Sequence, residues 1–112
     1  MIDSYSFGII TIGNQKFTKD LIVYPDNINS NWRRKTGHLL SEDDIIEILE
    51  YKPEVLIIGT GSRGLMKVDE ILKDKIKALG IEFVIKKTSE AVIEYNRIYK
   101  DKKVVATLHL TC

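Results

Sequence analysis

The sequence predicts a three-layer α/β domain with a mixed central sheet, in which an N-terminal antiparallel meander is followed by the order α-β-α-β-α-β. Three observations lead to this fold class. Short β-rich segments separated by brief turns fill residues 5–24, and such turns are too short for a parallel crossover. From residue 41 onward, helical patterns alternate with short apolar runs. An unbroken apolar run is typical of a strand buried on both faces, which requires layers above and below the sheet.

The length and charge of the chain fit a single domain, residues 1–112, without a bulk electrostatic target. Of its 112 residues, 44% are hydrophobic, and 17 basic and 16 acidic residues give a net charge of +1. This balance favours neither nucleic acid nor a membrane surface as partner. No apolar stretch reaches the roughly 20 residues of a membrane helix, and no secretory signal begins the chain. These features predict a cytoplasmic domain. No internal disulfide is expected, because Cys112 is the only cysteine.

The first half of the chain is predicted to form the meander. Residues 5–12 alternate partly between apolar and polar side chains and end at the turn-forming pair Gly13-Asn14. Residues 16–18 and 20–24 follow as further short strands. Residues 25–37 are polar and irregular, so they are predicted to form a loop.

Three helices are predicted in the second half, near residues 42–50, 67–79 and 89–99. Ser41 is expected to cap the first, which has an acidic first turn and ends before Pro53. The second carries one apolar stripe and is closed by Gly80. Thr88 or Ser89 is expected to cap the third.

Three central strands of one sheet are predicted at residues 55–58, 81–85 and 104–108, where the side chains are mainly apolar. Because helices join successive strands, the crossovers between them are expected to be right-handed and the first two strands parallel. The direction of the last strand stays open.

A glycine-rich turn, residues 59–64, matches the pattern G-x-G-x-x-G directly after a predicted buried strand. Glycines allow close backbone approach, and free N–H groups beside a helix N-terminus favour a negative charge. Arg63 and Ser62 would add a charge-assisted hydrogen bond and a hydroxyl. A site for a small anion, phosphate or nucleotide, is therefore one prediction, with Gly61 or Gly64 at positive φ. Its predicted ligand residues are Gly59, Gly61, Ser62, Arg63, Gly64, Lys86, Ser89 and His109.

The same turn has a plainer interpretation as a tight connection from strand to helix. A dinucleotide-binding fold usually places an acidic residue after the next strand, where this chain has Lys86-Lys87. Such a fold also has a second nucleotide-binding half, for which this chain has too few strands. We therefore expect no cofactor.

The Trp32 loop, residues 31–38, is the most concentrated basic and aromatic segment. Basic residues beside an aromatic ring can bind an acidic or protein partner, and the predicted contact residues are Trp32, Arg33, Arg34 and His38. The alternative is that the indole packs on the sheet while the arginines stay solvated. No nucleic-acid partner is expected, because no nucleic-acid-binding motif accompanies the loop.

The final residues, His109-Leu110-Thr111-Cys112, bring an imidazole and a thiol close together in sequence. Such a pair can be a nucleophile with its base or part of a metal site. In an extended segment, however, His109 and Cys112 point to opposite sides. A metal also needs more ligands than these. We therefore assign no catalytic residues and predict no metal site.

Taken together, these features resemble a domain-of-unknown-function family that includes the archaeal MTH-type hypothetical proteins, a vertebrate adipogenesis-associated protein and mitochondrial complex I assembly factor number three. The matching residues are Trp32-Arg33 with the loop to His38, Pro53-Glu54 before Leu56-Ile57-Ile58-Gly59-Thr60-Gly61, Glu90-Ala91-Val92-x-Glu94-Tyr95-Asn96, and His109-x-Thr111-Cys112. The resemblance implies a three-layer α/β fold with a mixed sheet and supplies no catalytic residues. It also implies that the full G-x-G-x-x-G pattern is not shared by relatives.

Two functions therefore stay open. The mitochondrial family member binds proteins during assembly of a respiratory complex, which suggests a protein-binding or assembly-accessory module with the Trp32 loop as its contact. The alternative is a small-anion binding protein or enzyme with its site at the glycine-rich turn. Convergence of residues 59–64, the start of the third helix and His109 on one concave pocket would favour the alternative.

Overall fold

The computed structural model describes all of residues 1–112. Its strands are β1 (Ile2–Ser6), β2 (Ile9–Ile12), β3 (Gln15–Phe17), β4 (Leu21–Val23), β5 (Ile28–Asn29), β6 (Leu39–Leu40), β7 (Val55–Gly59), β8 (Lys67–Val68), β9 (Glu82–Lys86) and β10 (Val104–Leu108). Its α-helices are α1 (Ile46–Tyr51), α2 (Glu70–Ala78) and α3 (Thr88–Ile98), and a 3-10 helix spans Glu42–Asp44. None of the helices combines the length and the apolar character needed to cross a membrane.

The central sheet has five strands in the order β5-β4-β10-β7-β9. The last strand of the chain, β10, lies at its centre, parallel to β7 and antiparallel to β4. The three strands predicted in the second half therefore share one mixed sheet. The prediction that all three are central is wrong for β9, which forms an edge. Residues of β7 and β10 are all buried, whereas β9 is only half-buried because no strand lies beyond it.

The N-terminal meander is a separate antiparallel sheet in the order β1-β2-β3. The predicted turn at Gly13-Asn14 is present, but the β-rich segment 5–12 contains an additional turn, because the chain also reverses at Phe7-Gly8. Ser6 pairs with Ile9 across this two-residue turn, and Gly8 has φ +78°, which suits glycine. The predicted strand at residues 20–24 leaves the meander and joins the central sheet as β4.

The first predicted helix is divided in two. Ser41 does begin it, since its N–H donates to Asp44 Oδ2 at 2.9 Å, the reciprocal half of a capping box. The backbone then leaves helical geometry at Ile45, whose φ is −133°, before α1 begins. Helix α2 starts later than predicted because β8 pairs in parallel with β6, a contact between distant segments that local patterns do not reveal.

Two apolar clusters lie on the two faces of the central sheet and give the molecule its three layers. Leu56 and Ile58 of β7 pack with residues of α1 and α2 and with Trp32. Val55 and Ile57 of the same strand pack with residues of α3 and the meander. Alternation along β7 thus fills both clusters, which confirms the predicted three-layer fold and explains why its sequence has no polar position.

Candidate functional site

The three parallel strands β10, β7 and β9 all end at the same side of the central sheet, where their carboxyl ends lie next to each other. Leu108 at the end of β10 is opposite Gly59 at the end of β7, and Gly59 is opposite Lys86 at the end of β9. The glycine-rich turn, the start of α3 and His109 therefore meet here. In open α/β sheets, ligands usually bind just outside the carboxyl ends of the strands.

The glycine-rich turn uses its backbone donors within the chain. Gly61 N–H donates to Thr88 Oγ1 at 2.8 Å, and Ser62 N–H donates to the Thr111 carbonyl at 2.6 Å. Arg63 N–H donates to an oxygen of Cys112 at 3.3 Å, and Gly64 N–H to the Gly61 carbonyl at 3.2 Å. The expectation that these N–H groups face an open space is wrong, because residues 111–112 occupy that position.

Positive φ was predicted for Gly61 or Gly64 and is found at both, with values of +108° and +70°. Gly61 is also required by close packing. A Cβ atom at Gly61 would lie 2.3 Å from the backbone carbon of Cys112 and 2.6 Å from the Thr111 oxygen. The glycine therefore admits the chain's own C-terminal segment, the same use of a missing side chain that a bound phosphate would require.

Thr88 joins the three predicted segments from a fully buried position. Its hydroxyl accepts from Gly61 N–H and donates to the His109 carbonyl at 2.6 Å. This role replaces the predicted cap, since α3 begins at Thr88 without a side-chain cap and Ser89 is exposed. The segments converge by direct packing, and none of the three surface concavities is lined by them.

A buried charged cluster lies beside this packing, formed by Asp20, Arg34 and His109. Arg34 donates from Nη1 to Asp20 Oδ2 at 2.8 Å and from Nη2 to the Gly37 carbonyl at 2.9 Å. The other carboxylate oxygen of Asp20 accepts from Leu110 N–H at 2.8 Å. The exposed fractions of the Arg34 and His109 side chains are only 6% and 7%. The cluster thus joins the Trp32 loop, the start of β4 and the end of β10.

The partners of Asp20 determine its protonation. Burial alone would raise the pKa of the Asp20 carboxyl, but hydrogen bonds from His109, Leu110 and Arg34 outweigh it and lower that pKa to about 2. His109 Nδ1 lies 2.7 Å from Asp20 Oδ2 and 3.2 Å from Arg34 Nη2, so it contacts both members of the Arg34–Asp20 ion pair. His109 Nε2 and Arg34 Nε are buried without a partner.

The contact between Asp20 and His109 is the arrangement found in carboxylate–histidine acid–base dyads. The ring of His38 lies near that of His109, with the two centroids 6.5 Å apart. No group of three or more His, Cys, Asp or Glu side chains is arranged to hold a metal ion.

The Trp32 loop separates into a buried and an exposed part. Trp32 is 8% exposed, and its Nε1 donates to the Asp44 carbonyl at 2.9 Å. The Arg34 guanidinium lies 4.9 Å from the indole centroid and continues into the buried cluster. Arg33 and His38 are exposed. Of the predicted contact residues, Trp32 and Arg34 are thus held inside the chain, while Arg33 and His38 are accessible.

A groove of about 390 Å³, here called the Trp32 groove, opens where the Trp32 loop meets the 3-10 helix and α1. One wall carries Asn31, Trp32 and Arg33, and the other carries Asp43 and Glu47. It is the largest of the three concavities in the structure.

Sequence reasoning missed Asp20 and Asp44 as members of these sites, whereas Thr88 belongs to the predicted start of the third helix. Asp20 is 89 residues from His109, and only the pairing of β4 with β10 brings the two together. A charged residue directly before the apolar run of β4 is a weak signal. The contact of Asp20 with His109 can be predicted only when the order of the strands is known.

The structure therefore defines a class: a three-layer α/β domain whose polar strand ends are closed by its own C-terminal segment and an Asp–Arg–His cluster. The family model described as "Protein of unknown function (DUF498/DUF598)" matches residues 2–109. The chain belongs to this family, which confirms the resemblance seen in the sequence.

Solved structures share this fold over nearly the whole chain. The conserved hypothetical protein PH1505 from Pyrococcus horikoshii OT3 is 24% identical, with a TM-score of 0.85 over 100% of this chain and 99% of that one. An outer membrane protein from Bartonella henselae is 28% identical, with a TM-score of 0.83 over 99% and 94%. A Mth938-like domain protein from Bordetella pertussis is 17% identical, with a TM-score of 0.69 over 98% and 85%.

Proposed function

We propose that the chain is a protein-binding module that serves as an accessory in the assembly of a larger complex, and that it binds through the Trp32 groove. The observation that carries this proposal is the combination of an open groove at the Trp32 loop with closed packing at the glycine-rich turn. A surface that binds another chain has to be open and anchored by residues that do not move.

The walls of the groove are anchored by contacts inside the chain. The indole of Trp32 is fixed by its hydrogen bond to Asp44 and by the guanidinium stacked near it. Asp44 in turn accepts from Ser41 N–H at 2.9 Å and from Lys35 N–H at 3.1 Å. The surface is therefore preformed, and little of the binding free energy would be spent on ordering it.

The charges and apolar rim of the groove favour a particular partner. Asp43, Asp44 and Glu47 contribute acidic groups, and Arg33 is the single basic residue of the lining. Asp43 is already paired with Lys35, whereas Glu47 forms no ion pair. Ile46 adds an apolar rim that is 44% exposed. We infer that the occupant is an extended protein segment with a lysine or arginine next to an apolar side chain.

Selection from a random-peptide display library on the immobilised protein tests this proposal. Enriched peptides should combine basic and apolar residues, and they should be lost when the selection is repeated on Glu47→Lys. Glu50→Lys is the matched control, because Glu50 lies on the same helix but does not line the groove. Enrichment of acidic peptides, or equal loss in both variants, would refute the proposal.

The alternative, a small-anion binding protein or enzyme, retains one supporting feature. Three exposed basic side chains lie near the glycine-rich turn: Arg63, Lys86 and Lys87. Their positive charges attract an anion even though the backbone N–H groups of the turn already have partners. Titration calorimetry with phosphate and nucleotides separates the two ideas. Millimolar binding that weakens in Arg63→Ala and with added salt would favour the anion, because the attraction is largely Coulombic. We place either interaction in the cytoplasm, as the sequence predicts.

A further inference from the structure

The central sheet ends at β9, and the open edge of this strand has the features of an interface with a second copy of the chain. Its sequence is Glu82-Phe83-Val84-Ile85-Lys86, three apolar residues between opposite charges. The other outer strand, β5, has only two residues. A longer, apolar, unpaired edge offers a template for pairing with another strand.

The hydrogen bonds of β9 show which of its backbone groups face outward. Glu82 N–H donates toward β7, to the Glu54 carbonyl at 3.2 Å, and the Lys86 carbonyl accepts from Thr60 N–H at 2.9 Å. In a strand the direction of these groups alternates from residue to residue. Phe83 and Ile85 therefore present their N–H and C=O groups to the open edge.

From this arrangement we propose that the chain forms a symmetric dimer in which β9 pairs antiparallel with β9 of a second copy, on a two-fold axis at Val84. Phe83 of one copy is then opposite Ile85 of the other, and each such pair exchanges both of its outward N–H···O bonds. The two central sheets become one continuous sheet.

The same register brings complementary charges together. With Val84 opposite Val84, Glu82 of one copy is opposite Lys86 of the other, twice by symmetry. These are non-hydrogen-bonded positions, where opposing side chains approach most closely. Lys86 has no ion pair within its own chain, and the nearest cation to Glu82 is Lys102 Nζ at 3.8 Å from its Oε1. If positions 82 and 86 carried like charges, the two copies would repel each other in this register.

The dimer leaves the proposed function intact and extends it. The Trp32 groove includes Ile22 of β4 and Asn29 of β5, at the opposite side of the sheet from β9. Two grooves would then lie at the outer ends of the joined sheet, so that one dimer engages two partner segments and gains avidity.

Charge reversal tests the register directly. Sedimentation velocity from micromolar to millimolar concentration should show a monomer–dimer equilibrium in the wild type. Glu82→Lys and Lys86→Glu each place like charges opposite one another twice, so each variant alone should dimerise about tenfold more weakly or worse. An equimolar mixture of the two variants pairs opposite charges again and should restore association. Glu90→Lys, an exposed charge change on α3, is the control.

Amide hydrogen exchange by NMR gives a second, independent readout. The amides of Phe83 and Ile85 should become protected as protein concentration rises, while those of Val84 and Lys86 should not change. A wild type that stays monomeric throughout would overturn the proposal. So would a dimer that ignores the charge variants, or protection that does not depend on concentration.

Discussion

Two polar regions of the molecule contrast in how they use similar residues. At the strand ends, the glycine-rich turn, Thr88 and the Asp20–Arg34–His109 cluster form a closed network in which the backbone donors of the turn have partners inside the chain. At the Trp32 groove, Arg33 and Glu47 are exposed and form no ion pairs. The neighbouring residues Arg33 and Arg34 belong one to each region.

The contrast teaches that a motif associated with ligand binding can be satisfied by the chain itself. Gly61 and Gly64 both have positive φ, and oxygens of Thr111 and Cys112 accept hydrogen bonds from the N–H groups of the turn. Function is more readily assigned to the region where polar groups remain accessible.

The largest expected effect on stability is a difference between the two adjacent arginines, Arg33 and Arg34. Arg34→Ala should lower the free energy of unfolding by about 3–5 kcal/mol, because it leaves the Asp20 carboxylate buried without its cation. Arg33→Ala should change it by no more than about 0.5 kcal/mol, as expected at an exposed position without partners. Urea unfolding of both variants measures the difference. Equal costs would remove the distinction between a closed and an open region.

A somewhat smaller effect is expected where the C-terminal segment packs on the turn. Gly61→Ala should cost about 2–4 kcal/mol, since it combines a residue strained at positive φ with a clash against Cys112. Gly13→Ala isolates the first contribution, because Gly13 has φ +56° but a Cβ added there would meet no atom within 4 Å. It should therefore cost only about 1–2 kcal/mol. Thermal unfolding of the two variants would contradict close packing if their midpoints were the same.

Local patterns predicted the layers but not the closed network. The apolar runs of β7 and β10 and the stripe of α2 follow from side-chain periodicity, which depends on neighbours in sequence. The hairpin at Gly8 was missed because a single glycine between apolar residues is an ambiguous turn signal. The edge position of β9 and the contact of Asp20 with His109 depend on strand order. Likewise, nothing in the pair Arg33-Arg34 indicates which guanidinium is buried.

A pH experiment sharpens the assignment of Asp20. Its folded pKa of about 2 lies below the ordinary value of 3.8, so the unfolded chain takes up this proton first as the pH falls. The resulting stabilisation, about 2 kcal/mol, is fully present above about pH 5 and is lost progressively as the pH falls through 3.8 and then through 2. Urea unfolding of the wild type should therefore weaken more steeply over that interval than that of Asp20→Asn. Parallel curves would show that Asp20 has an ordinary pKa in the folded chain.

The smallest expected effect belongs to the open region. Glu47→Gln keeps the shape of the side chain and removes a charge that has no partner, so the stability change should stay within about 0.5 kcal/mol. Its effect should appear in binding instead. A basic peptide from the display selection should lose about 0.5–1 kcal/mol, a two- to fivefold increase in Kd, and added salt should reduce this difference. Trp32, the only tryptophan in the chain, lines the groove, so its fluorescence reports the titration directly. Glu50→Gln should bind like the wild type. If Glu47→Gln also binds like the wild type at low salt, the acidic wall of the groove does not select the partner.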